Sequence, residues 1–178
     1  RAAGQVREGH GDLHLANIVW HDGAPLLFDA LEFDPALRHI DLVGDLAFAF
    51  MDLLAAGAPR QAWRLASGWV EATGQHDGLP LLAWWAAHRA AVRAKVALLS
   101  APADHPAALP ADLRRYLGVA DRLAAPAPAP LLVLTCGLSG SGKSVVAAAL
   151  AERLGGIRLR SDVERKRLAG LAPTDRGD

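Results

Sequence analysis

A chain of 178 residues, 52% of them hydrophobic, has apolar side chains enough for one full core or two partial ones. Its 19 Lys and Arg balance 19 Asp and Glu, which removes any bulk electrostatic case for binding nucleic acid or a membrane surface. The single cysteine, Cys136, excludes an internal disulfide, and no apolar run of membrane-spanning length survives Asp41, Asp45 and Asp52. With no signal-peptide pattern either, a cytoplasmic protein is expected. The charge is unevenly spread: residues 1–123 hold 11 Lys and Arg against 14 Asp and Glu, and the remainder 8 against 5. A mildly basic C-terminal part suits a phosphate ligand and is too small an excess to argue for nucleic acid.

The sequence opens at Arg1 and comes almost at once to His10-Gly11-Asp12-Leu13-His14-Leu15-Ala16-Asn17. Histidine, aspartate and asparagine keep the spacing of a kinase catalytic loop, where the acid accepts a hydroxyl proton and the amide holds magnesium. Ile18-Val19-Trp20 and Leu26-Leu27-Phe28 favour strands, and Asp22-Gly23 between them is a hairpin signal. Folding back there brings Asn17 beside Asp29, and the oxygen donors of Asp12, Asn17 and Asp29 suit a hard cation such as Mg²⁺.

In these residues the chain resembles the aminoglycoside phosphotransferase family, small-molecule kinases with a protein-kinase-like fold, whose His-Gly-Asp-x-His-x-x-Asn signature it matches in full. The resemblance implies that Asp12 is the catalytic base, that Asn17 and Asp29 are metal ligands, and that a small-molecule hydroxyl is phosphorylated from ATP. The glycine-rich loop, strand lysine and partner glutamate of such a fold come before its catalytic loop. They are absent from this sequence, which therefore reads as an internal stretch with no activity by itself. His10 and His14 read as structural. Glu32 and Asp34 are surface acids before a proline turn, or further groups for the metal or for a cationic substrate.

Ile40, Val43, Leu46, Ala47, Phe50, Leu53 and Leu54 recur at helical spacing, predicting a helix over 40–55 with Asp41 and Asp45 in structural roles. The family has an Asp-Leu-Ala here, matched by Asp45-Leu46-Ala47. A helix over 61–73 with Trp63 and Trp69 buried follows, and then a long one over 79–100. The latter is expected to bury Trp84, Ala91, Val92, Val96 and Leu99 and to turn Arg89 and Arg93 outward, as a solvated pair or a clamp for substrate phosphate. After a loop over 102–110, a helix over 111–124 completes a lobe spanning 1–123. Residues 124–130, alternating Ala and Pro, form a semi-rigid linker, and a second domain occupies 131–178.

That domain starts with an apolar run, Leu131 to Cys136, expected as a strand buried on both faces of a parallel sheet. Gly137-Leu138-Ser139-Gly140-Ser141-Gly142-Lys143-Ser144 follows and satisfies the Walker A pattern. Gly137, Ser139, Gly140, Ser141 and Gly142 supply a backbone cradle for ATP phosphates, Lys143 reaches the β and γ phosphates, and the Ser144 hydroxyl ligates magnesium. A helix over 145–154, a strand over 157–160 and a helix opening at Ser161 continue the pattern. The arrangement resembles P-loop kinases of small molecules and polynucleotide ends, which implies that Asp162 activates the acceptor and Arg165 holds phosphate. Ser161-x-x-Glu164 reads equally as a capping box, with Asp162 suiting the helix dipole and Lys166 and Arg167 solvated.

The expected fold is thus α+β: the mostly helical C-terminal lobe of a kinase-like fold, then the start of an α/β P-loop domain. This order is similar to bacterial proteins described as bifunctional aminoglycoside phosphotransferase and ATP-binding proteins. Two further readings stay open, a non-catalytic nucleotide-sensing regulator and kinase activity residing in the P-loop domain alone.

Overall fold

Helix α2, Leu42–Ala55, is the centre of the first unit, and its sequence explains why: Val43, Leu46, Ala47, Phe48, Ala49, Phe50 and Met51 are all buried. A helix apolar around most of its circumference belongs inside a fold. The computed structural model describes residues 4, 6–101, 110–126, 129–172 and 175. Within them, in chain order, run β1 (Val6–Glu8), β2 (Ile18–His21), β3 (Ala24–Leu27), α1 (Pro35–Arg38), β4 (His39–Asp41), α2, α3 (Pro59–Thr73), α4 (Leu82–Leu99), α5 (Ala111–Ala124), α6 (Lys143–Leu154) and α7 (Ser161–Leu168). The fold is mixed α and β, mostly helical, with two small antiparallel sheets that pair β1 with β4 and β2 with β3. Ile40, expected in a helix, lies in β4 opposite Arg7, and α2 starts only after Asp41, whose carboxylate accepts from Val43 N–H at 2.9 Å.

The chain forms two compact units, Arg1–Ala58 with Asp77–Pro126, and Pro59–His76 with Ala127–Asp178. In the first, α4 packs on α2 and α5. It does so through Leu82, Ala86, Ala90 and Ala94, opposite to the expected stripe: Trp84 is 60% exposed and Leu99 73%. Alanines one turn apart let the helices approach closely, and Arg89 and Arg93 stay on that inner side by laying guanidinium groups over Phe48 (4.8 Å) and Tyr116 (5.6 Å).

In the second unit, α3 packs against α6. It buries Ala62, Ala66 and Val70 and leaves Trp63 and Trp69 half-buried, so small residues again replace the expected aromatics. Expected in the first lobe, this helix instead packs on α6 and takes hydrogen bonds from Arg158 and Arg160 of the C-terminal segment. Residues 131–136 and 157–160 belong to no sheet among the described residues. Leu132 is 82% exposed rather than buried. A parallel strand is held by neighbours on its edges, and these two runs do not pair with each other. Linker residues 127–128 and loop residues 102–109 lie outside the described residues.

Candidate functional site

The segment 10–17, expected as a catalytic loop, is built by anchoring a glycine-rich turn to two acids of α2. Asp45 and Asp52 are seven residues apart, two helical turns, and so share a face. The Asp45 carboxylate accepts from His10 N–H at 2.7 Å and from Gly11 N–H at 3.1 Å. The turn has room for no side chain: a Cβ on Gly9 would stand 2.7 Å from that carboxylate, and one on Gly11 2.8 Å from Leu31, at φ +81°. Buried Asp52 accepts from Leu15 N–H at 2.9 Å and from the Tyr116 hydroxyl at 3.0 Å. His10 takes the Asp12 N–H on Nδ1 (3.4 Å), which fixes the proton on Nε2, donating to the Phe28 carbonyl at 2.7 Å.

The hairpin follows. Asp22 and Gly23 have φ of +48° and +77°, as a type I′ turn demands, and the register pairs Ile18 with Leu27. One step further, Phe28 N–H donates to the Asn17 carbonyl at 3.1 Å, so Asp29 follows directly on the residue bonded to Asn17. Asp29 itself has φ +59°, a left-handed conformation that costs a residue with a Cβ about 1 kcal/mol or more. The buried Asn17 amide donates to the Asp12 carbonyl at 3.0 Å, which leaves its Oδ1 as the acceptor. Asp12, Asp29 and Glu32 line one cleft of about 700 Å³. Asp12 also meets His14 at 3.5 Å, and His14 sits edge-on to Phe48, whose ring carries the Arg89 guanidinium. Burial pulls Arg89 below its usual range, against the opposing pull of Asp45 and Asp12.

Carboxylates and an amide oxygen are donors a hard divalent cation accepts, and an open cleft suits an ion that keeps waters and phosphates in its shell. The chemistry of the donor set therefore fits Mg²⁺, although no group of three His, Cys, Asp or Glu is drawn to ligand distance among the described residues.

The second candidate site lies in the other unit. Gly137, Gly140 and Gly142 take φ of +146°, +78° and +80°, so the loop 137–144 follows a path only glycine adopts easily. Gly142 caps α6 without a side chain, leaving the first N–H groups of that helix available to an anion. Lys143 Nζ folds back to donate to the Gly137 carbonyl at 2.8 Å and to the Leu138 carbonyl. Residues 132–178 match the family model described as AAA domain. This identifies the C-terminal segment as similar to a P-loop ATPase or kinase-type domain. Uncharacterized proteins of Mycobacterium bovis and of two Mycobacterium tuberculosis strains are 35% identical over 171 residues, covering 93% of this chain and 34% of theirs. The chain thus spans about a third of the length of the curated relatives it matches, and residues of both units recur in them within one protein. No solved structure matches the chain.

Within the segment similar to the AAA domain, Asp162 and Arg165 come together on α7. The Asp162 carboxylate bonds Arg165 at 3.0 Å and Lys166 at 3.2 Å. The Lys166 hydrogen bond, then Arg165, holds its carboxyl below the usual range. The capping box does not form: no side chain caps α7, and Glu164 turns instead to Arg167 (2.6 Å) and His76 (3.1 Å). Arg167 is correspondingly paired and less than a third exposed, not a solvated residue. Sequence reasoning misses Asp52 and Tyr116 in the first unit and Glu71 in the second, and turns Arg89 outward where the structure lays it over Phe48. Asp52 alone left a signal, an acid seven residues from Asp45 inside an apolar helix.

Proposed function

We propose that this chain carries the hydroxyl-activating part of an ATP-dependent phosphotransferase joined to a second, P-loop nucleotide site. One observation supports the first part above all others. The Asn17 amide is tied to the Asp12 carbonyl, and Asp29 comes immediately after the residue bonded to Asn17, so one hydrogen-bonded loop contains the base and both ligand candidates. In this reading Asp12 accepts the proton of a small-molecule hydroxyl while that hydroxyl's oxygen forms a bond to the γ phosphorus. The bond from that phosphorus to the β-phosphate oxygen breaks, and ADP leaves.

Asn17 Oδ1 and the Asp29 carboxylate are the groups that would hold Mg²⁺, which when bound neutralises charge on the phosphates. His14 and the Asp45 carboxylate orient the loop. The match to the aminoglycoside phosphotransferase signature supports small alcohols and sugars as the acceptor class.

For the C-terminal unit a second reading gains from Asp162. Its carboxylate is engaged by Arg165 and Lys166 of its own helix rather than left free for an acceptor hydroxyl, which favours nucleotide sensing over a second kinase. Full-length protein incubated with labelled ATP and a panel of hydroxyl compounds tests both readings. Asp12→Ala is expected to abolish acceptor labelling and to spare nucleotide binding at the loop, with Lys143→Ala doing the reverse. No labelling of any acceptor by the wild type would leave only the sensing role.

A further inference from the structure

Helix α3 enters the second unit through Glu71. Both its carboxylate oxygens are used: Oε2 accepts from Arg158 at 2.6 Å and Oε1 from Arg160 at 2.9 Å, and its carbonyl accepts from Arg167 at 2.6 Å. One turn earlier on the same helix, Ser67 Oγ accepts the Arg158 N–H at 3.2 Å. Arg158 is thereby held at its backbone and at its guanidinium. Its remaining terminal nitrogen donates to the Ser144 carbonyl at 3.3 Å. Ser144 ends the phosphate loop and lies in the first turn of α6, where its hydroxyl is the magnesium-ligand candidate.

We propose that Glu71 is a positioning residue for the nucleotide site, acting through Arg158 on Ser144, so that α3 is a working part of the nucleotide-binding unit. The inference rests on the reading of loop 137–144 as that site. Charge-assisted bonds from a planar guanidinium to a carboxylate fix direction as well as distance. With Glu71 in place, Arg158 meets Ser144 already ordered. Without it, a long side chain has to be immobilised each time the loop closes on phosphate. Burial raises the Glu71 carboxyl, and the hydrogen bonds and charges of Arg158 and Arg160 together more than reverse this, in keeping with an anchor that is ionised at neutral pH.

The test is ATP binding in the presence of Mg²⁺ by full-length protein, taking as the loop's share the component that Lys143→Ala removes. Glu71→Gln and Arg158→Ala should each weaken that component about three- to tenfold, as expected for an effect relayed through one hydrogen bond of ordinary net strength. The double variant should be no weaker than Arg158→Ala alone. Arg158→Lys, which keeps the charge and loses the fork, should not restore affinity. Arg64→Ala breaks the 3.7 Å pair with Glu152 between the same two helices and touches no loop atom, so it should leave the component unchanged. Unchanged affinity in folded Glu71→Gln, additive losses in the double variant, or an equal loss in Arg64→Ala would each overturn the proposal. Should Lys143→Ala remove no component at all, the nucleotide reading itself fails and the role of Glu71 goes with it.

Discussion

At the scale of residues, the first unit depends on a few acids that serve backbone rather than solvent. Asp52 satisfies Leu15 N–H and the Tyr116 hydroxyl at once, so Asp52→Ala strands one part-buried and one buried donor. A loss of about 2 to 4 kcal/mol is expected, read as a lower midpoint in urea unfolding; Tyr116→Phe should cost less. The second unit has its own charged anchors. Glu71 and Glu164 are both held below their ordinary values, Glu71 by its arginines against an opposing burial, Glu164 first by Arg167. A carboxyl whose folded pKa is depressed stabilises the fold above its unfolded value and loses that contribution as pH falls through the folded one. The melting temperature should therefore decline as pH drops below about 4.5, the ordinary value for both groups, and Glu71→Gln should flatten that decline.

Among elements, what could be read locally was readable. Asp22-Gly23 dictates a type I′ turn whatever surrounds it, and the glycines of 137–142 dictate a loop before a helix. Gly23→Val would force a β-branched residue to φ +77° where Gly23 itself meets no neighbour, so backbone strain alone should cost about 1 to 2 kcal/mol. Hydrogen exchange at the Phe28 amide is expected to speed up in that variant, since its bond to Asn17 closes the hairpin. The faces of α3 and α4 were not legible, because alanine carries no hydrophobic contrast: a stripe of Ala86, Ala90 and Ala94 is hidden by the larger Trp84, Val96 and Leu99 on the outer side. Nor could the strands expected at 131–136 and 157–160 be judged from their own residues, because a strand is made by its neighbours.

For the whole molecule, residues of both units recur together in relatives about three times longer, and no described helix is long and apolar enough to cross a membrane. The grouping of α3 with the C-terminal segment had no sequence signal, since Glu71 meets Arg158 and Arg160 across nearly half the chain. If loop 137–144 binds nucleotide only when folded, ATP with Mg²⁺ should raise the melting temperature. At a hundredfold excess over Kd the linkage supplies about 2.7 kcal/mol, and Lys143→Ala should remove the loop's share of the shift.

The central claim is that Asp12, Asn17 and Asp29 act as one site, and single-turnover transfer from labelled ATP to a hydroxyl acceptor by the full-length protein tests it most directly. Asp12→Ala and Asp29→Ala should each slow transfer by roughly a hundred- to ten-thousandfold, and the double variant should be little slower than the worse single one. Wild-type rates in either single variant, or losses that multiply in the double, would contradict it.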